Sequence, residues 1–159
     1  MKLIIKNKIL SLGGASFVEN EAGEQVYVIK GKIFSPTRKK IVQNMNGETL
    51  YKVRNKWFNF IFNKAYIMDV EGNKIAKVTN DGLFGLKVVD YPDNIVIKGG
   101  IKWRREITKN GELVGAITRN FAVMRDAFTL EINDIEDIPF FVALVIAMDN
   151  IRDKDRDGD

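Results

Sequence analysis

Ile138-Pro139-Phe140-Phe141-Val142-Ala143-Leu144-Val145-Ile146-Ala147-Met148 is an apolar run with no polar face. Asp137 stands where a helix N-cap accepts from the first free amides. Pro139 falls in the first turn, where its missing N–H costs nothing. As a helix, the run covers about 16 Å, roughly half of a bilayer's hydrocarbon core. A helix apolar all round must be buried all round. The rest of the chain therefore has to enclose it.

Upstream, one grammar repeats. Residues 17–28, 41–53, 66–78 and 105–117 each read as a strand, a polar turn with glycine, and a second strand. Gly23, Gly47, Gly72 and Gly111 can supply the positive φ of a tight hairpin, with Asn or Asp nearby to tolerate the neighbouring turn conformation. The flanks are rich in Val, Ile, Tyr and Phe and often alternate with polar residues, as half-buried strands do. The longer gap between Gly72 and Gly111 holds a further pair, 86–90 and 95–98, turned at Tyr91-Pro92-Asp93-Asn94.

With a last strand at 127–132, the count is about twelve short antiparallel strands, and closing them into a barrel removes every free edge. A propeller of four-stranded blades needs a longer chain. The place left for the apolar helix is the lumen. The expected fold is mainly β: a closed antiparallel barrel of about twelve strands around a central C-terminal helix. That helix is expected over about 137–151, leaving through Asp149-Asn150-Ile151-Arg152. A membrane dip or a dimerising helix is the competing reading of the same segment. One domain over 1–152 and a polar, disordered tail over 153–159 account for the whole chain.

Composition narrows the chemistry. The chain has 159 residues, with no cysteine and no histidine. Disulfides, thiol nucleophiles, Cys–His dyads, triads and zinc sites are excluded. No metal or other cofactor is expected. Lysine and arginine number 25 against 21 acids, a net charge of +4 and a pI near 9.2. That excess is mild for a nucleic-acid binder, so nucleic acid is not the expected partner. The Met1-Lys2-Leu3-Ile4-Ile5-Lys6 start is too short for a signal peptide, and no run reaches membrane-spanning length. A cytoplasmic protein, peripheral at any membrane it binds, is the expectation.

Three cationic stretches are candidate anion-binding sites. Pro36-Thr37-Arg38-Lys39-Lys40 is the densest, and its cations can meet phosphates or merely discourage edge pairing. Lys52, Arg54 and Lys56 lead into an aromatic run in which Trp57 can anchor at headgroup depth, or whose rings can stack single-stranded bases against a basic rim. Phe58, Phe60 and Phe62 read equally well as a doubly buried strand. Lys102, Arg104 and Arg105 around Trp103 repeat the theme. The tail Asp153-Lys154-Asp155-Arg156-Asp157-Gly158-Asp159 opens like a calcium loop but lacks its closing glutamate. Asp69 with Glu71, or Asp134 with Glu136 and Asp137, are carboxylate clusters at expected turn or helix-start positions, where acids serve structure. No catalytic signature emerges, and the chain reads as a non-enzyme.

Two features together carry a family resemblance. They are the hydrophobic helix ending in Asp149-Asn150 and the stretch Gly31-Lys32-Ile33-Phe34-Ser35 after the first hairpin. From about Leu3 to Ile151 the chain resembles the LURP-one-related (YxjI-like) family of the Tubby C-terminal-like superfamily. The resemblance implies a twelve-stranded barrel around a central hydrophobic helix. Related branches, the Tubby proteins and phospholipid scramblases, work at membranes. That implies, by analogy of fold alone, a binding module for anionic phospholipid headgroups or a membrane surface. The alternative is a protein-interaction scaffold holding a protein partner. No headgroup motif transfers residue by residue.

Overall fold

The computed structural model describes residues 1–6, 14–31, 37, 39–56, 64–82, 85–99, 104–120 and 127–157. The strands are β1 (Lys2–Lys6), β2 (Ala15–Asn20), β3 (Gln25–Gly31), β4 (Lys40–Asn44), β5 (Thr49–Asn55) and β6 (Lys64–Met68). They continue as β7 (Lys74–Asp81), β8 (Gly85–Val89), β9 (Ile95–Gly99), β10 (Arg104–Lys109), β11 (Glu112–Asn120) and β12 (Ala127–Ile132). Each pairs antiparallel with its chain neighbours, and β1 meets β12 from Lys2↔Glu131 to Lys6↔Ala127. That pairing closes a twelve-stranded barrel with no free edge.

Inward positions alternate along the strands. Leu3 and Ile5, Ala65 and Ile67, and Ile95 and Ile97 are all buried, while Ile4, Tyr66 and Val96 between them are only partly so. Inside runs the single helix α1 (Ile138–Asp157), whose residues from Phe140 to Met148 are at most 2% exposed. An all-apolar helix thus finds apolar walls on every side, as its sequence requires. Asp137 caps it: its Oδ1 accepts from Phe140 N at 3.3 Å and its backbone carbonyl from Phe141 N at 3.2 Å. The helix packs closest on β5 and β6, then on β12, β4 and β7.

Two expectations about the chain's end need correction. Asp149, Asn150 and Ile151, read as the polar exit, are buried, and Asn55 Nδ2 donates to the Asn150 carbonyl at 3.2 Å. The helix also runs on through Asp157, past the 151 expected for its end. No glycine or proline interrupts 149–157, and Gly158 is the first breaker in the sequence.

The repeated turns are one device used three times. Asn20 Oδ1 accepts from the amides of Ala22 and Glu24, and Asn44 Oδ1 from those of Asn46 and Glu48. Asp69 Oδ1 does the same for Glu71 and Asn73. Gly23, Gly47 and Gly72 each follow at φ +78°, +84° and +90°. The fourth copy differs: Asn110 (φ 52°) and Gly111 (φ 87°) make a two-residue turn by themselves. Successive positive φ values are the geometry that an Asn-Gly pair favours in a tight hairpin.

Aromatic rings close the barrel around the helix start. Tyr91 stacks on Phe140 with centroids 4.6 Å apart, and Tyr51 meets the same ring edge-on at 5.8 Å. The Tyr51 hydroxyl donates to Asp137 Oδ2. Burial first, and the Asp137 carboxylate second, push the hydroxyls of Tyr27, Tyr51 and Tyr91 above the ordinary tyrosine range. Lys109 is also pushed up, chiefly by its 2.7 Å hydrogen bond to Glu136. A folded-state pKa raised above the unfolded value gives stability that is present below the unfolded value and lost at higher pH. The melting temperature should therefore fall once pH passes about 10, where unfolded tyrosine and lysine begin to titrate. Thermal melts across alkaline pH check this, and Tyr51→Phe should flatten the fall. Identical slopes for the two proteins would show that Tyr51 is not the group involved.

Candidate functional site: the cationic end of the barrel

The short turns, at 21–24, 45–48, 69–73, 90–94, 110–111 and 133–137, all lie at one end of the barrel, because the strands run up and down in order. The helix starts at this turn end and leaves at the other, here called the exit end. Each odd-numbered strand ends at the exit end and each even-numbered strand begins there. Connection parity alone decides which charges go where.

The outcome is a polarised barrel. Among the described residues, positions within one residue of the strand termini at the exit end carry eleven cations. They are Lys6; Lys30, Lys39 and Lys40; Arg54, Lys56 and Lys64; Lys98, Arg104 and Arg105; and Arg119. A single acid, Asp81, stands among these strand positions, and the part of α1 that leaves at this end adds Asp149, Asp153, Asp155 and Asp157 against Arg152, Lys154 and Arg156. The same rule applied to the turn end, turns included, finds thirteen acids against three lysines, Lys2, Lys74 and Lys109. A net charge of +4 conceals this axial separation completely.

The residues expected to bind anions fall into two sectors of that end. Lys39 precedes β4 and Lys40 begins it, while Arg54 and Lys56 stand at the end of the adjacent β5. Lys64 on β6 joins them: the amide of Lys56 donates to its carbonyl at 3.0 Å. Arg54 lies over the Tyr66 ring at 5.2 Å. The second sector, Arg104 and Arg105 on β10, is five strand steps from β5 around the ring. The basic stretches thus share an end but not a side. Lys52 sits midway along β5 and belongs to neither end. Arg38, Lys102, Trp57 and Trp103 lie outside the described residues.

Facing differs within the second sector. Arg104 points outward, with its guanidinium 3.6 Å from Glu131. Arg105 pairs in register with the buried Ile117 and shares its face with the buried Ile107, so it points inward. Lys40, in register with the buried Val53, also faces inward. Sequence reading missed Lys30 and Arg119. The signal for each was its place beside a longer connection rather than a glycine turn.

The carboxylate clusters are occupied by structure. Asp69 holds its turn, and those hydrogen bonds, led by Asn73, keep its carboxyl below the usual range. Asp134 binds the N-terminal amine at 2.6 Å, Glu136 binds Lys109, and Asp137 caps α1. Among the described residues, no helix is long and apolar enough to cross a membrane.

Comparison with known proteins places this geometry. A family model of LURP-one-related proteins matches residues 1–149, nearly the full length. No curated protein and no solved structure matches. The matched span covers all twelve strands and the apolar part of α1, and the closed barrel is the architecture of the Tubby C-terminal-like superfamily. The chain belongs to the LURP-one-related family.

Proposed function

We propose that this chain is a non-enzymatic binding module that docks its exit end on anionic phospholipid headgroups at a membrane surface. One observation carries the reading: eleven described cations at the strand termini of one end, with one acid among those positions, and thirteen acids against three lysines at the other end. In an anionic surface field, such a molecule is attracted at one pole and repelled at the other, so charge alone orients it. Each lysine or arginine brought near such a surface contributes about 1 kcal/mol. Pairs such as Lys6 with Glu19 at 2.8 Å reduce that sum. The reading places the protein in the cytoplasm, peripheral at a membrane.

Sedimentation with phosphatidylcholine vesicles, with and without phosphatidylserine, tests it. Binding should require the anionic lipid and weaken steeply with added salt, because exposed charges are screened within about 10 Å at moderate ionic strength. Replacing Lys39, Arg54 and Lys56 together by glutamate should release the protein from the vesicles.

A second reading, a scaffold for a protein partner, has its own support at the turn end. Leu113, Ile135 and Met1 are 60%, 91% and 55% exposed there. They are neighbours, since Asn133 N donates to the Val114 carbonyl and Met1 binds Asp134. An acidic surface with apolar tips suits a basic, partly apolar protein. Failure to bind anionic vesicles even at low salt would shift the weight to this reading.

A further inference from the structure

α1 runs off-centre in the barrel. It packs most closely on β4–β7 and β12, and β9–β11 are not among the strands it packs on closely. Through most of the barrel's height that side is filled by Ile95, Ile97, Ile107 and Ile117, each at most 1% exposed. Approaching the exit end, the inward positions change character. Arg105 follows Ile107 on the inner face of β10, and Arg119 follows Ile117 on that of β11.

Arg105 is in register with Ile117, so Arg119 is its diagonal neighbour on the same face. Such neighbours have Cα atoms roughly 7–8 Å apart, within reach of two long side chains. Arg119 is 8% exposed and is already engaged by other groups. Arg105 is half-buried, and no carboxylate among the described residues perturbs it. Burial alone pulls its guanidinium below the usual arginine range, with no opposing anion to restore it. Removing a cation from water without a partner is costly. Arginine forks match the paired oxygens of phosphate monoesters, and the match strengthens where water is scarce.

We infer that Arg105 and Arg119 form an inward-facing oxyanion site at the exit end, between β10–β11 and α1, that takes a phosphate monoester. It rests on the membrane reading only for the source of that phosphate, which is either a lipid headgroup or a small soluble molecule. The outward cations attract any anionic surface, whereas this site selects a terminal phosphate whose free oxygens meet the Arg105 guanidinium, with the Arg119 charge beside it.

The test is calorimetric titration of the full chain with inorganic phosphate and with glycerol 3-phosphate. In parallel, it is sedimented with vesicles containing phosphatidic acid, a monoester, or phosphatidylserine, a diester. Wild type should bind the soluble monoesters. Arg105→Gln should weaken that binding about tenfold or more, the loss expected for a charge-assisted hydrogen bond, and Arg105→Lys should restore part of it. Lys74→Gln, at the turn end, should change nothing. The circular dichroism melt of Arg105→Gln should match wild type, separating lost binding from lost folding.

A preference for phosphatidic acid over phosphatidylserine that disappears in Arg105→Gln supports a lipid source. Soluble binding without any vesicle binding keeps the site and removes the membrane reading. If neither soluble monoester binds and phosphatidic acid is not preferred, or if Arg105→Gln binds like wild type, the inference is overturned.

Discussion

A chain ending at Asp134 is expected to have no cooperative fold. Deleting residues 135–159 takes away the whole of α1, and with it the side chains that fill the centre of the barrel. Phe140, Phe141, Val142, Leu144, Val145 and Ile146 are each at most 2% exposed, and fully burying a side chain of this kind stabilises by about 1.5–3 kcal/mol. Losing several of them exceeds the roughly 5–15 kcal/mol by which an ordinary domain is stable. The barrel cannot compensate by shrinking, because strand number fixes its diameter. Circular dichroism should show no sigmoidal melt, and amide NMR signals should collapse into the unfolded range. Leu144→Asp in the full chain should give the same outcome with the least change of sequence, since it places an unpaired carboxylate at a position with no exposed surface. A soluble truncated chain with dispersed amide signals would mean that the strands support themselves, contrary to the architecture described.

The same segment explains why so much of the fold is legible in the sequence. Ile138–Met148 has no polar face, which leaves burial on all sides as the solution, and twelve antiparallel strands offer a lumen to bury it in. The turn chemistry was equally explicit, because Asn20, Asn44 and Asp69 repeat one hydrogen-bond pattern before a positive-φ glycine. The helix terminus was less legible. Asp149 and Asn150 look like an exit, but the barrel wall extends to Asn55, which reaches Asn150 and encloses another turn.

The candidate site was legible as residue type and not as arrangement. Lys39 and Lys40 were identifiable as part of a dense basic turn, and Arg54, Lys56, Arg104 and Arg105 as cations beside aromatic residues. Which end of the barrel they occupy follows from counting connections, since parity alternates strictly in an up-and-down sheet. Which side they occupy depends on ring closure, and β5 and β10 come out nearly opposite. Whether a given cation faces in or out depends on register. Arg104 and Arg105 are adjacent in sequence yet one meets Glu131 outside and the other faces the lumen. A shift of one residue would exchange them.

Gly115→Val is expected to be among the most damaging single substitutions outside the helix. Its reason is space, unlike that of the turn glycines. A Cβ added at Gly115 would stand 2.3 Å from the Glu131 carbonyl oxygen and 2.9 Å from Ile132 Cδ1. The isoleucine tip can rotate away. The carbonyl cannot, because it belongs to β12, and β12 is held on its other side by β1. Relief therefore requires β11 and β12 to part where Gly115 faces Ile132, next to the irregularity at Ile107 and Thr108. Overpacking a core typically costs about 1–3 kcal/mol, and here backbone separation adds to it, so a loss of roughly 3 kcal/mol or more is expected. For a chain of this length, that lowers the melting temperature by about 10 °C. At Gly47 an added Cβ meets nothing within 4 Å. Gly47→Ala should thus show only the positive-φ penalty of about 1–2 kcal/mol. Thermal melts of both variants beside wild type decide the point. If Gly115→Val melts with or above Gly47→Ala, close packing of β11 on β12 is not what demands a glycine there.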